Sequence, residues 1–74
     1  MENPKPSLGQ ISTLRDILEK DENLSTHFDF SGAFEKLENI TLKQKNLFYA
    51  LLFNKRYSKL NKLMIQFGFK PINN

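Results

Sequence analysis

Apolar residues recur along much of this chain at three- and four-residue steps, the spacing of one face of an α-helix. Leu8, Ile11, Leu14, Ile17 and Leu18 form the first such stripe. Ser7 stands just before it and Gln10 three residues further on, a capping-box pair that can satisfy two of the amide groups a helix start leaves unpaired. Gly9 weakens that first turn by up to about 1 kcal/mol, so Ser12 or Thr13 is an alternative start. The stripe runs out near Glu19 or Lys20. Glu19, Asp21 and Glu22 then lie where the helix dipole prefers cations, a conflict that a basic surface from elsewhere in the chain, or solvent, would relieve.

Residues 23–31 break the helical period. Leu24, Thr26, Phe28 and Phe30 alternate as in a strand, but the pattern supplies no second strand, and a lone strand is not stable. The expectation is an extended connector whose phenylalanines plug the core. Asp29 or Ser31 can cap a short helix carrying Phe30, Ala33, Phe34 and Leu37. Thr41 with Gln44 is the clearest capping box in the chain. The segment behind it, 42–54, places Leu47, Phe48, Ala50, Leu51, Leu52 and Phe53 around almost the whole circumference, the mark of a helix central in its domain or at an oligomer interface. Ser58 is placed to cap a last helix with the stripe Leu60, Leu63, Met64 and Phe67. Gly68 suits the left-handed position after a helix end, Phe69 can fold back onto Met64 or Leu63, and Pro71 forbids continuation.

The expected fold is therefore all-α: a small bundle of about four helices around a central apolar helix at 42–54. Residues 7–74 form its single domain, and residues 1–6, with two of the three prolines, a flexible N-terminal arm. Leu51 and Leu63 are expected in the core. Length limits that core: 74 residues bury only about 60% of the surface exposed by the unfolded chain. There is no cysteine, which removes disulfides and thiolate zinc sites from consideration. A hydrophobic fraction of 39% beside 26% charged residues is that of a folded domain. No run approaches the roughly 18 apolar residues of a membrane span, and the opening Met-Glu-Asn-Pro-Lys-Pro lacks the apolar core of a signal peptide. A cytoplasmic protein without membrane partners is expected.

Charge changes the picture more. Residues 1–40 hold four basic and all eight acidic side chains, a net of −4, whereas residues 41–74 hold seven basic side chains and no carboxylate, a net of +7. Such asymmetry marks either a polyanion-binding surface or two halves that fold together and neutralise each other. Lys55, Lys59 and Lys62 are spaced i, i+4, i+7, so a last helix extended back by one turn would carry them on one face with Gln66. Arg56 and Tyr57 precede them, and Lys43 and Lys45 mark the start of the helix at 42–54. These are the residue types of phosphate contacts, which give affinity and salt dependence without reading sequence. Tyr49 and Tyr57 could stack on unpaired bases.

Catalytic chemistry is not legible. The single histidine, His27, has no companion His, Cys or carboxylate pair. Asp21, Asn23, Ser25, His27 and Asp29 resemble alternating calcium ligands, but Thr26 takes the place of the loop glycine and Gly32 that of the bidentate glutamate. Glu35 and Glu38 read as a solvated face. The three glycines are scattered instead of forming a phosphate loop, and the sequons at Asn23 and Asn39 have no meaning in a cytoplasmic chain. Neither an enzyme, a metal site nor a cofactor is expected.

Thr41-Leu42-Lys43-Gln44-Lys45, the apolar helix behind it, and Ser58 through Gly68-Phe69 resemble the front of a helix-turn-helix or winged-helix unit. In that pattern Met64 takes the small-residue position, Gly68 the turn glycine and Phe69 the apolar residue after it. Leu37 through Asn73 is also similar to the C-terminal domain of TerB-type tellurite-resistance proteins, in which a similar apolar helix and capped helix lead into a Pro-Ile-Asn-like segment. The first resemblance implies DNA binding. Its recognition helix would follow Lys70, where this sequence has Pro71-Ile72-Asn73-Asn74, so direct base reading does not carry over. Two functional expectations remain. The first choice is a non-enzymatic accessory protein that binds nucleic-acid backbone, DNA ahead of RNA, through Lys55, Arg56, Lys59 and Lys62. The other is a protein-interaction module or inhibitor docking through exposed apolar and aromatic residues, within a larger complex or as a homo-oligomer. Seven phenylalanines in so short a chain favour the second, since a thin core need not bury them all.

Overall fold

The structure is a computed structural model and describes residues 4–72. It is mainly α. Among the described residues five helices run in chain order: α1 (Leu8–Lys20), α2 (Glu22–His27), α3 (Ala33–Leu37), α4 (Leu42–Phe53) and α5 (Tyr57–Gln66). Two short strands, β1 (Phe28–Asp29) and β2 (Lys70–Pro71), pair antiparallel with Phe28 opposite Pro71 and Asp29 opposite Lys70.

Both capping boxes form. The Gln10 amide donates to Ser7 Oγ (3.2 Å) and the Ser7 amide to Gln10 Oε1 (2.9 Å), so α1 starts at Leu8 despite Gly9. Thr41 and Gln44 make the same exchange at α4, at 3.1 and 3.0 Å.

The acidic end of α1 has a local explanation. Asp21 closes α1 through its amide, which donates to the Leu18 carbonyl (3.2 Å), while its Oδ1 accepts from the Leu24 amide (3.1 Å) and caps α2. Glu22 then lies in the first turn of α2, where negative charge is favoured. The extended connector expected at 23–31 is thus partly helix. At six residues α2 is too short to show a helical period in the sequence. Extended backbone is confined to Phe28 and Asp29, and its partner strand arrives some forty residues later, within a segment whose proline hides it as a strand. The Ile72 amide donates to the His27 carbonyl beside this ladder (2.8 Å).

Neither expected cap of α3 forms. Gly32 takes the cap position at φ +68° without a side-chain bond, a backbone conformation that suits glycine. Asp29 Oδ1 instead accepts from the Ser31 amide (2.9 Å). Ser58 does not cap α5 either. The Arg56 amide is committed to the Leu51 carbonyl (2.8 Å) in closing α4, and α5 begins at once with Tyr57, so Ser58 lies inside the helix.

α4 and α5 end in the same way. After α5, the Phe69 amide donates to Met64 O (3.1 Å) and the Gly68 amide to Ile65 O (2.9 Å), the two crossed bonds of a Schellman motif. After α4, the Arg56 amide donates to Leu51 O (2.8 Å) and the Lys55 amide to Leu52 O (3.1 Å). The left-handed residue is Gly68 in one case (φ +95°) and Lys55 in the other (φ +54°). A lysine there carries the steric cost that glycine escapes.

One core joins every helix. Ile11, Leu14 and Leu18 of α1, Leu24 of α2, Ala33 and Leu37 of α3, Phe48 and Leu52 of α4, and Leu60, Leu63 and Met64 of α5 are buried, with Phe28, Ile40 and Phe69 between them. Among the helix pairs, α1 packs on α2 and α3, and α4 on α5. Within the expected arm, Pro6 is buried and the Pro4 carbonyl accepts from the Leu42 amide (2.9 Å), so residues 4–6 lie against the start of α4. Residues 1–3, like 73–74 at the other end, fall outside the described residues. The position of α4 also differs from expectation: it forms a hairpin with α5 and buries only Phe48 and Leu52, while Leu51 is half-buried.

Candidate interaction face of the helical hairpin

The amide bonds that close α4 set the place of the basic residues. Lys55 and Arg56 fall in the tight turn, where their positive charge complements the C-terminal end of the α4 dipole. Lys59 and Lys62 follow on the outer side of α5. All four are exposed. Among the described residues the one ion pair joins Arg15 to its neighbour Asp16 (3.1 Å). Among the described residues the two halves therefore do not neutralise each other through ion pairs. They are linked here by an uncharged donor: the Tyr57 hydroxyl donates to Asp21 Oδ2 at 2.7 Å. That bond, with a half-buried ring, commits Tyr57 to the fold.

Lys43 is exposed in the first turn of α4. Lys45, two residues on, is half-buried with its Nζ 5.7 Å from the centre of the Tyr49 ring. Tyr49 in turn stacks on Phe53, 6.0 Å between centroids and 16° between planes. The seven sequence-derived candidates are thus divided. Lys59 and Lys62 come together, Lys55 and Arg56 lie in the adjoining turn, Lys43 and Lys45 sit at the far end of α4, and Tyr57 faces the acidic half.

What the structure adds is apolar. A groove of about 330 Å³ runs between α4 and α5, lined by Leu47, Leu51 and Leu63 and flanked by Lys59, Lys62 and Gln66. Leu47 is 45% exposed and Leu51 half-buried. Phe53, near the end of α4, is 74% exposed, and Ile65 on α5 is 53% exposed. The sequence assigned Leu51 to the core because α4 is apolar on every side. That same feature was the available signal for this face: an all-round apolar helix placed at the edge of a thin domain must turn part of its surface to water.

Elsewhere the chemistry is modest. His27 is exposed, its Nδ1 2.6 Å from the Asn23 carbonyl, which puts the ring proton on Nδ1. Asp29 is held below the ordinary carboxylate range, first by the hydrogen bonds from Ser31 and then by the charges of Lys36 and Lys70. Asp21 spends both oxygens on Leu24 and Tyr57, and the residues between it and Asp29 are largely helical, so the alternating calcium ligands are not arranged as a loop. Among the described residues no three His, Cys or acidic side chains are grouped to hold a metal ion, and no helix is long and apolar enough to cross a membrane.

No family model, curated protein or solved structure matches the chain.

Proposed function

We propose that this protein is a non-enzymatic interaction module that docks another protein on the outer face of the α4–α5 hairpin. The observation that carries the reading is the open groove there: exposed Leu47 and half-buried Leu51 floor it from α4, with the edge of Leu63 from α5. Apolar side chains that line one open groove are an interaction signal, whereas single ones scattered over the surface are not. Photo-crosslinking in the source cells tests it. A photoreactive residue in place of Leu47 should give an adduct with another protein that survives nuclease treatment. The same residue in place of Leu8, exposed on α1, should give none. Equal labelling at both positions, or an adduct that nuclease removes, contradicts the reading.

The second reading is a nucleic-acid-binding accessory protein that holds phosphates through Lys55, Arg56, Lys59 and Lys62. It is favoured by one observation, that these four exposed cations have no carboxylate partner among the described residues. Two others weigh against it. The groove floor beside Lys59 and Lys62 is aliphatic and offers no ring for a base. Of the two tyrosines, Tyr57 is bonded to Asp21 and Tyr49 is stacked on Phe53. A fall in duplex or single-strand affinity with salt, steep enough to report several phosphate contacts, would restore this reading.

A further inference from the structure

Resting on the interaction-module reading, we infer that the occupant of the α4–α5 groove is an amphipathic helix of a partner protein, apolar along one stripe and acidic on its flank.

The floor dictates the apolar stripe. Leu47 and Leu51 are one turn apart on α4, about 6 Å along its axis, and Leu63 faces them from α5. A helix laid in the groove meets them with side chains at i and i+4, extended to i+7.

The backbone excludes a strand as occupant. The amides and carbonyls along α4 and α5 are engaged in their own helices and end motifs, so this face has no free ladder to which a strand could add. A segment bound here must bring its backbone already satisfied, as a helix does.

Charge selects the acidic flank. Lys59 and Lys62 border the apolar floor, Lys55 and Arg56 follow in the adjoining turn, and no carboxylate lines the groove to repel an acidic ligand. The same charges disfavour a second copy of this chain. A twofold contact groove to groove about an axis across the groove would set Lys59 and Lys62 against their own counterparts, like charge on like charge.

The test is a methyl NMR titration of the full chain with two synthetic helical peptides about three turns long. Both carry leucines at i, i+4 and i+7. One has glutamate and the other lysine at the flanking positions. The acidic peptide should shift the methyl signals of Leu47, Leu51 and Leu63 saturably, while the basic peptide leaves them in place. Exchanging Lys59 and Lys62 together for glutamate should weaken the acidic peptide roughly tenfold or more and let the basic peptide bind. Both positions are exposed, so the amide spectrum of that variant should stay that of the folded protein. Reciprocal rescue of this kind cannot arise from a damaged fold.

Equal binding of both peptides, or binding of neither while Leu47 still crosslinks to a protein, overturns the acidic-helix inference and leaves the interaction module standing. Concentration-dependent shifts of the same methyls without peptide, accompanied by a doubled mass, assign the groove to a second copy and also overturn it. Displacement of the acidic peptide by an oligonucleotide at lower concentration than the peptide itself overturns both.

Discussion

The helices up to Leu37 and the hairpin after Thr41 use their large apolar side chains differently. In the first region Leu14, Leu18, Leu24 and Leu37 are all fully buried, and the exposed exception among the leucines, Leu8, is the opening residue of α1. In the second, Phe48, Leu60 and Met64 are fully buried, yet Leu47, Phe53 and Ile65 stand in water and Leu51 is only half covered. Each helix of the first region offers the core a single stripe. α4 is apolar around almost its whole circumference and can give the core only one side of it. An all-round apolar helix is therefore not necessarily a central one. In a domain of this size it can lie at the edge, with its surplus face turned outward.

The largest effects should separate buried from exposed leucines. Leu14→Ala or Leu37→Ala should cost about 2–5 kcal/mol, most of the stability of a small domain. Leu47→Ala should change it by less than about 0.5 kcal/mol, as surface substitutions do. Urea unfolding of the three variants checks both halves of the contrast. A cost at Leu47 comparable to that at Leu14 would show that the outer face of α4 is covered and that the two regions are alike.

Capping should act on both regions by a similar amount. Thr41→Ala at the start of α4 and Ser7→Ala at the start of α1 each remove an acceptor from an amide and should each cost about 1 kcal/mol. If thermal melts showed one cap to be silent, the corresponding helix start would be frayed in solution.

A smaller and opposite effect is expected at the two helix ends of the hairpin. Lys55→Gly should stabilise by about 0.5–1 kcal/mol, since relief of the left-handed strain outweighs the extra freedom glycine gives the unfolded chain. Gly68→Ala should destabilise by about 1 kcal/mol through backbone strain alone, because the nearest contact of an added methyl is the Lys36 side chain at 3.9 Å. Loss of stability in Lys55→Gly would mean that the lysine side chain contributes more than its backbone costs.

The least effect belongs to Asp29. Its carboxyl is held below the ordinary range in the folded protein, first by the bonds from Ser31. A lowered folded-state value adds stability that is present above the unfolded carboxyl's pKa and disappears as pH falls through the folded one. Between those two values wild type should lose stability faster than Asp29→Asn. The exposed position keeps this difference small, and identical acid profiles would remove Asp29 from the account.

Much of the fold was legible in the sequence for local reasons. The stripe of α1, both capping boxes and the Gly68 terminator are each written within a few neighbouring residues, and each was found where expected. What was missed depends on distance or on brevity. α2 has too few residues to show a period, and β1 lacked a visible partner because Lys70-Pro71 lies far away and contains a proline. The Ser58 cap failed because the turn before it is closed by bonds back to α4, which only the folded hairpin reveals. The apolar face of α4 was present in the pattern, but its direction was not, since a helix apolar on all sides does not say which side meets the core. The four cations of the α4–α5 turn and α5 were visible as a group. Their neighbours Leu47, Leu51 and Leu63 were visible only as candidates for the interior.

The claim that α4 turns an apolar face to water is tested most directly by NMR with a soluble paramagnetic gadolinium chelate, which broadens the signals of side chains it can approach. Strong broadening is expected at Leu47, Phe53 and Ile65, comparable to Leu8, and little at Phe48, Leu52 and Met64. Protection of Leu47 and Phe53 to the level of Leu52 would contradict it, because these side chains would then already be covered in the protein alone.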